Sequence, residues 1–397
     1  MPPFLLEIPL SPTRRTLLAA AFAGAGTLAL PRPSRAQEAT IRLGALSPLT
    51  GAGGPYGPAM ARAAKAVVDQ VNDAGGILGR KLELVVADDQ TSPEPAVRAA
   101  RQLIDVNRVV AIIGTWASSV TTAVAPLCWE SKTFLTTTSG ADSITQLPTQ
   151  GYLIRTQPTT ALQGEKFGAF ALEQGAKRVF FLSPQTPFFG SELAAITAAV
   201  KAKGGEVGSL VYDADKPSYR SEIDTTLRFK PDAIILGGYT PDTAVVLKDL
   251  FRAGYGGTKI AFAYAVNQKL IDAVPAPAVE GAFTLAPSSA EGSTAYKALA
   301  TLIGMPNPDP YTAQVYDQTN LVILAMAQAG DASGTAIRDT VRRVSQAPGG
   351  KVVGTALEGL QAIAAGQPIA YEGASGPCKF TPGGDITDSK FRYEQVR

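Results

Sequence analysis

The sequence predicts an α/β protein built as two doubly wound parallel-sheet lobes joined by a multi-strand hinge. Three observations carry this. From Thr40 onward short apolar runs alternate with helical patterns, the punctuation of βαβ units. The alternation pauses over 155–160 and again over 284–288, so two sheets are expected with the chain crossing between them. The 397 residues also exceed the ~250 at which a single core usually gives way to more than one.

Taken in order, "IRLGALSP" reads as a strand and 58–72 as a helix, because Met60, Ala64, Val67, Val68 and Val71 recur at helical spacing before "NDAGG" stops it. "KLELVVAD" is the next strand. Ser92 and Pro93 open a helix over 93–104, an N-cap followed by a proline in the first turn. "VVAIIG" is a strand, a helix runs through Cys128, and "TFLTTTS" is the next strand. After "YLIRTQPTT" the pattern restarts: helix 161–173, strand "RVFFLSP", helix 191–203, strand "EVGSLVYD", helix 221–229, strand "DAIILGG", helix 243–253, strand "KIAFAY". "GAFTLAP" leads to three helical stretches near 294–303, 311–329 and 335–345. "YEGASGPCKFTPGGDI" carries hairpin-like turn signals, and "KFRYEQVR" is a final strand. The lobes are therefore expected over 39–157 with 287–385, and over 158–286 with 388–397.

Residues 1–36 read as an export signal. Arg14 and Arg15 precede an apolar stretch of 14 residues, too short for a membrane span of ~20, and Ser34-Arg35-Ala36 supplies a cleavage pattern after Ala36. The arginine pair resembles a twin-arginine signal, while general secretory export stays open on these residues. A periplasmic location is expected. Cleavage removes four arginines and one glutamate, taking the formal net charge from +2 to −1. An almost neutral chain argues against a nucleic-acid partner.

The chain contains no histidine, which removes the usual Ser-His-Asp and Cys-His sites and histidine-rich metal sites. There is no G-x-S-x-G elbow and no phosphate loop. Gly51, Gly53 and Gly57 sit between a strand and a helix but miss the dinucleotide register. No enzyme activity, cofactor or metal is expected. Asp88 and Asp89 are adjacent on a strand and so point to opposite faces, which suits turn duty better than acid–base chemistry. Cys128 and Cys378 are a candidate disulfide: export favours pairing, the helical setting of Cys128 favours an inert buried thiol, and spacing does not decide.

The stretch "GTWASSVTTAVAP", from Gly114 to Pro126, leaves the strand "VVAIIG" without a single charge. At the carboxyl end of a central parallel strand, where open α/β sheets bind ligands, a helix starting near Ser118 or Ser119 offers uncapped N–H groups and hydroxyls to an anion. A second hydroxyl cluster, "TTTSG" over 136–140, ends the next strand. Both are expected to meet in one cleft.

With these motifs the chain resembles the exported solute-binding proteins of branched-chain amino-acid ABC transporters, the leucine/isoleucine/valine-binding family with the type I periplasmic-binding fold. The resemblance covers nearly all of 40–397 and rests on "GALSPLTGAGGPYG", "VNDAGGILGRKLELVVADDQTSPEPAVRAARQLI", "IIGTWASSVTTAVAP", "FFGSELA", "PDAIILGGYTPDTA" and "ASGPCKFTPGGDI". It implies two lobes closing over a small ligand whose carboxylate is held by Ala117, Ser118 and Ser119 and by Thr138, Ser139 and Gly140. Tyr56 matches a family aromatic in the first lobe, and Phe189 and Tyr239 match ligand contacts of the second; Trp116, beside the serines of the uncharged stretch, is expected to join them. An ABC permease in the inner membrane is the implied partner, and the protein is expected to act as a monomer.

The departures from the family bear on the ligand. Where amino-acid binders place an acid against the ammonium, this chain aligns Tyr264, and Gly140 replaces a usual hydroxyl residue. A buried ammonium without a counter-charge is costly. With Tyr56, Trp116, Phe188, Phe189, Tyr239 and Tyr264 available, the expected ligand is a small carboxylate, aliphatic or aromatic, without an essential amino group. Amino-acid or amide binding is the alternative, with Asp242 as a source of negative charge. A ligand sensor for a signalling partner would use the same cleft.

Overall fold

The computed structural model describes Thr40–Arg397; the expected leader ending at Ala36 lies outside the described residues. Five parallel strands form the first sheet: β1 (Ile41–Ser47), β2 (Leu82–Asp88), β3 (Ala111–Gly114), β4 (Phe134–Thr137) and β5 (Leu153–Arg155), in the order β2-β1-β3-β4-β5. Every residue of β3 and β4 is buried, because helices cover both faces. The helix Gly57–Asp73 buries Met60, Ala64, Val67, Val68 and Val71 as its spacing predicts. The helix Pro310–Ala329 is buried at every position from Tyr311 to Met326, so it runs through the core of this half rather than along its surface.

The second sheet contains β6 (Arg178–Pro184), β7 (Glu206–Tyr212), β8 (Ala233–Leu236), β9 (Thr258–Phe262) and β10 (Phe283–Pro287). Two short strands, β11 (Lys351–Val353) and β12 (Ile369–Tyr371), pair in parallel as a separate ribbon around the helix Ala356–Ala364. The last strand, β13 (Phe391–Gln395), returns to the second sheet and pairs antiparallel with β10, giving the order β13-β10-β9-β8-β6-β7. The expected α/β class with two largely parallel sheets is what the chain adopts.

The chain passes between the sheets three times: after Arg155, after Pro287, and between Asp385 and Phe391. The first and third passages are tied together. Arg155 is fully buried, its Nε donates to Asp385 Oδ1 at 2.5 Å, its Nη1 donates to the Ala141 carbonyl at 2.8 Å, and its Nη2 donates to the Thr145 hydroxyl. A buried guanidinium is tolerable because each of these bonds meets a fixed acceptor.

Cys128 and Cys378 are both free thiols. Burial pushes the Cys128 thiol up to about 12 and holds that of Cys378 well above the usual range, so both stay protonated and inert. Cys128 lies in the helix Ser118–Ser131, whereas Cys378 directs its Sγ to the Gly376 carbonyl at 3.6 Å, so the candidate disulfide is not formed.

Candidate functional site

The site starts where β3 ends. Gly114 has φ +105°, and a Cβ there would lie 2.7 Å from the Leu46 carbonyl oxygen, so only glycine lets β3 leave this closely against β1. The Gly114 N–H donates to Gln318 Oε1 at 3.1 Å, which anchors the turn to the buried helix. The next helix begins at Ser118. Its N-cap is Ala117, whose side chain cannot cap, so the first-turn N–H groups are left without a side-chain acceptor.

The hydroxyls divide into two sets. Thr121 Oγ1 lies 3.0 Å from Thr115 Oγ1, 3.0 Å from Thr137 Oγ1 and 2.5 Å from Ser139 Oγ, forming a buried knot behind the loops. Ser139 also donates to the Trp116 carbonyl at 2.9 Å, so its hydroxyl is spent on holding that loop. Ser118 faces the other way. Its Oγ accepts from the Ala141 N–H at 3.2 Å and keeps its own proton to give.

Ser118, Ala117, Trp116, Thr138, Gly140 and Tyr311 line a cavity from the first half of the molecule. Phe188, Tyr239 and Tyr264 line it from the second half, and Gln157 from the first passage between them. The free space in it is about 30 Å³, because the rings fill most of the gap. Trp116 stands 5.6 Å from Tyr239, 5.5 Å from Tyr264 and 5.6 Å from Tyr311, the last two edge-on. None of the lining residues is charged.

Burial pushes the Tyr239 phenol up to about 12 and those of Tyr264 and Tyr311 well above the usual range, so all three keep their protons. Neither the Tyr239 nor the Tyr264 hydroxyl makes a hydrogen bond to protein among the described residues. They are donors waiting for an acceptor.

Seven of the eleven residues expected in a ligand site line this cavity: Trp116, Ala117, Ser118, Thr138, Gly140, Tyr239 and Tyr264. Four do not. Ser139 belongs to the hydroxyl knot. Ser119, half-buried on the first helical turn, lies outside the lining. Tyr56 backs the rings, 6.0 Å from Trp116 and 5.5 Å from Tyr311, and its hydroxyl donates across to the Tyr264 carbonyl at 2.9 Å. Phe189 is buried against Phe181 and Phe262 on the sheet side.

Its neighbour Phe188 takes the lining position. The reason is local: the helix starts at Pro187, four residues before the 191 expected, because Thr186 caps it by accepting from the Phe189 N–H at 3.1 Å. That start turns Phe188 toward the cavity and Phe189 inward. Gly140 accommodates it, since a Cβ on Gly140 would lie 2.8 Å from Phe188 Cε2 and 2.8 Å from Gln163 Nε2.

Two lining residues, Gln157 and Tyr311, escaped sequence reasoning. Tyr311 follows a strong cap signal, Asp309-Pro310, and the Asp309 carboxylate accepts from the Tyr311 and Thr312 N–H groups at 3.0 and 3.1 Å. Gln157 sits before a proline in a segment already readable as a passage between sheets. Asp242 is committed elsewhere, accepting from the Asp215 N–H at 2.8 Å and the Tyr219 hydroxyl at 2.5 Å.

Comparison with known proteins places this geometry in context. The family described as "Periplasmic binding protein" matches residues 40–374. The chemotactic signal transduction system substrate-binding protein BasB of Halobacterium salinarum is 27% identical over 86% of this chain and 83% of its own length. Among solved structures, a leucine binding protein of Thermotoga maritima superposes with a TM-score of 0.77 at 22% identity, over 90% of this chain and 96% of that one. A solute binding protein of an R. palustris ABC transporter, in complex with 4-hydroxybenzoate, superposes with a TM-score of 0.74 at 18% identity, over 90% and 93%.

Proposed function

Because this chain belongs to the type I periplasmic binding proteins of the branched-chain amino-acid family, we propose that it is the exported binding component of an ABC importer. Its ligand on this reading is a small carboxylate, aliphatic or aromatic, with no essential α-amino group. The ligand lies between lobe I (39–157 with 287–385) and lobe II (158–286 with 388–397), and an inner-membrane permease reads the closed form.

One observation carries the ligand class. The cavity combines an uncapped helix start at Ser118 with neutral hydroxyl donors on Ser118, Tyr239 and Tyr264, and no acidic side chain lines it. A carboxylate finds N–H and O–H partners there without a cation. An ammonium finds no counter-charge in the lining and would be desolvated without compensation. The five aromatic side chains that line the cavity favour a flat apolar body. The R. palustris protein that binds 4-hydroxybenzoate on the same fold supports the same direction.

A thermal-shift and calorimetry panel of leucine, hexanoate, benzoate and 4-hydroxybenzoate tests this, since a ligand bound only by the folded chain raises its melting temperature. Stabilisation by an acid without an amino group, and none by leucine, is the expected result. Stabilisation by leucine alone overturns it in favour of amino-acid binding. The name of the BasB relative favours a second reading, delivery of the occupied form to a signalling partner. Capture of a permease rather than a receptor by the ligand-loaded protein separates the two.

A further inference from the structure

We propose that Gln157 is a further ligand donor, presenting its amide N–H to the anionic group of the ligand from the passage between the halves, with its orientation imposed by a chain of three glutamines. The inference rests on the carboxylate reading above. It extends the anion site beyond the two hydroxyl-rich loops to the segment that joins the halves.

A glutamine amide is ambiguous until its partners fix which end is which. Here one backbone carbonyl fixes all three. Gln163 Nε2 donates to the Pro158 carbonyl at 2.8 Å, so Gln163 must turn its Oε1 toward Gln157. Gln157 therefore turns its Nε2 to that side, and its Oε1 is free to accept from Gln314 Nε2, which it does at 2.7 Å. Reversing Gln157 would set acceptor against acceptor at Gln163 and donor against donor at Gln314.

The consequence is a buried donor that the protein hardly uses. Gln157 is 2% exposed and lines the cavity, its acceptor is spent, and its Nε2 makes only the 3.5 Å contact to Gln163, at the limit of a hydrogen bond. Leaving a buried amide donor so poorly matched is unfavourable unless something else takes it up. At the far end of this row of glutamines Gln314 Oε1 has no partner among the described residues, so the polarity of the row is kept although it strands an acceptor. The arrangement also joins the halves: Gln163 belongs to the helix Thr160–Glu173 packed on the second sheet, and Gln314 to the helix Pro310–Ala329 in the first. An anion that draws on Gln157 thus engages a residue whose orientation depends on both.

Gln157→Glu and Gln157→Leu separate a ligand donor from a structural amide, with calorimetry on the full chain at pH 8 using benzoate and 4-hydroxybenzoate. Gln157→Glu keeps the size and the acceptor for Gln314, so a purely structural role makes it the milder change. Donation to an anion makes it the worse one, because a carboxylate would face the ligand's own. Gln157→Leu is expected to weaken binding about 10- to 100-fold, the range for a hydrogen bond to a charged group, and Gln157→Glu to weaken it further. If Gln157→Leu does not fold, Gln157→Met takes its place. Unchanged affinity, or Gln157→Glu binding better than Gln157→Leu, overturns the proposal. If the wild type binds leucine but neither benzoate, the ligand class fails alone, and the same ranking is read on the leucine carboxylate. If it binds none of them, both fall.

Discussion

The Tyr56 hydroxyl donates to the Tyr264 carbonyl at 2.9 Å, joining residues 208 positions apart that stand on opposite halves of the molecule. The acceptor is held on its own side, where Thr240 Oγ1 and Asn267 Nδ2 each approach it at 3.4 Å. On the proposed two-lobe reading the bond forms only while the halves stand together, so it would contribute to a closed arrangement and nothing to an open one.

Tyr56→Phe removes that bond and keeps the ring packing on Trp116 and Tyr311. At about 1 kcal/mol for a neutral hydrogen bond, affinity is expected to fall about fivefold through the closing equilibrium. Small-angle scattering of the ligand-free protein checks the cause, with a larger radius of gyration expected for Tyr56→Phe. An unchanged radius together with unchanged affinity contradicts a role in closure.

Burial raises the carboxyls of Asp89, Glu192, Asp309 and Asp317, and the two with unpartnered oxygens, Asp89 and Glu192, are expected to make stability pH-dependent. Burial, aided by Asp88, pushes Asp89 up to about 7 from its ordinary 3.8, and its Oδ2 has no partner among the described residues. Burial, with Asp142 beside it, holds Glu192 well above its ordinary value, and neither of its oxygens is partnered among the described residues. Because both folded values are raised, the stability they permit is complete below about pH 4 and is lost as pH rises through the folded value. For Asp89 this is at most about 4 kcal/mol between pH 4 and 7. The melting temperature is expected to fall from pH 6 to 8, and Asp89→Asn is expected to flatten that fall. Glu192→Gln should flatten what remains at higher pH. A melting temperature that rises over this range in the wild type rules the assignment out.

Much of this site was legible because strand ends and helix starts are local events. "VVAIIG" is apolar without a break since β3 is covered on both faces, and the change to uncharged small residues at Gly114 marks where the backbone must turn. Phe188 and Phe189 were harder to tell apart, because the choice depends on which residue caps the helix. A shift of four residues in the start rotates both rings. Gln157 and Tyr311 enter from segments distant in sequence, so nothing in their own neighbourhood marks them as lining residues. The three-residue strands β11 and β12 are too short for a period to show.

The link between Arg155 and Asp385 predicts where the connection between the halves is weakest to substitution. Arg155 is 0% exposed, so removing its carboxylate partner leaves an uncompensated buried charge. Asp385→Ala is expected to destabilise by about 3–5 kcal/mol, read as a lower midpoint in urea. Arg155→Met with Asp385→Ala should recover part of that loss, since no buried charge then remains. A double variant no better than Asp385→Ala would mean that packing, not charge, dominates there.

Gly140 stands where the resemblance leads one to expect a hydroxyl residue, and the space around it bears on that difference. Any Cβ at this position meets Phe188 Cε2 and Gln163 Nε2 at 2.8 Å, closer than real side chains approach. The ring can give way only toward the cavity or outward from it, and Gln163 is pinned by its bond to the Pro158 carbonyl. Gly140→Ser is therefore expected to displace Phe188, cost about 1–3 kcal/mol of stability by overpacking, and weaken binding of an aromatic acid more than that of a short aliphatic one. Truncating the ring tests the explanation: Gly140→Ser with Phe188→Ala should restore part of the stability lost in Gly140→Ser alone, because the clash with the ring is gone and only that with Gln163 remains. If the double variant is instead less stable by the sum of the two single losses, Gly140 and Phe188 do not compete for the same space, and the missing hydroxyl at 140 needs another cause.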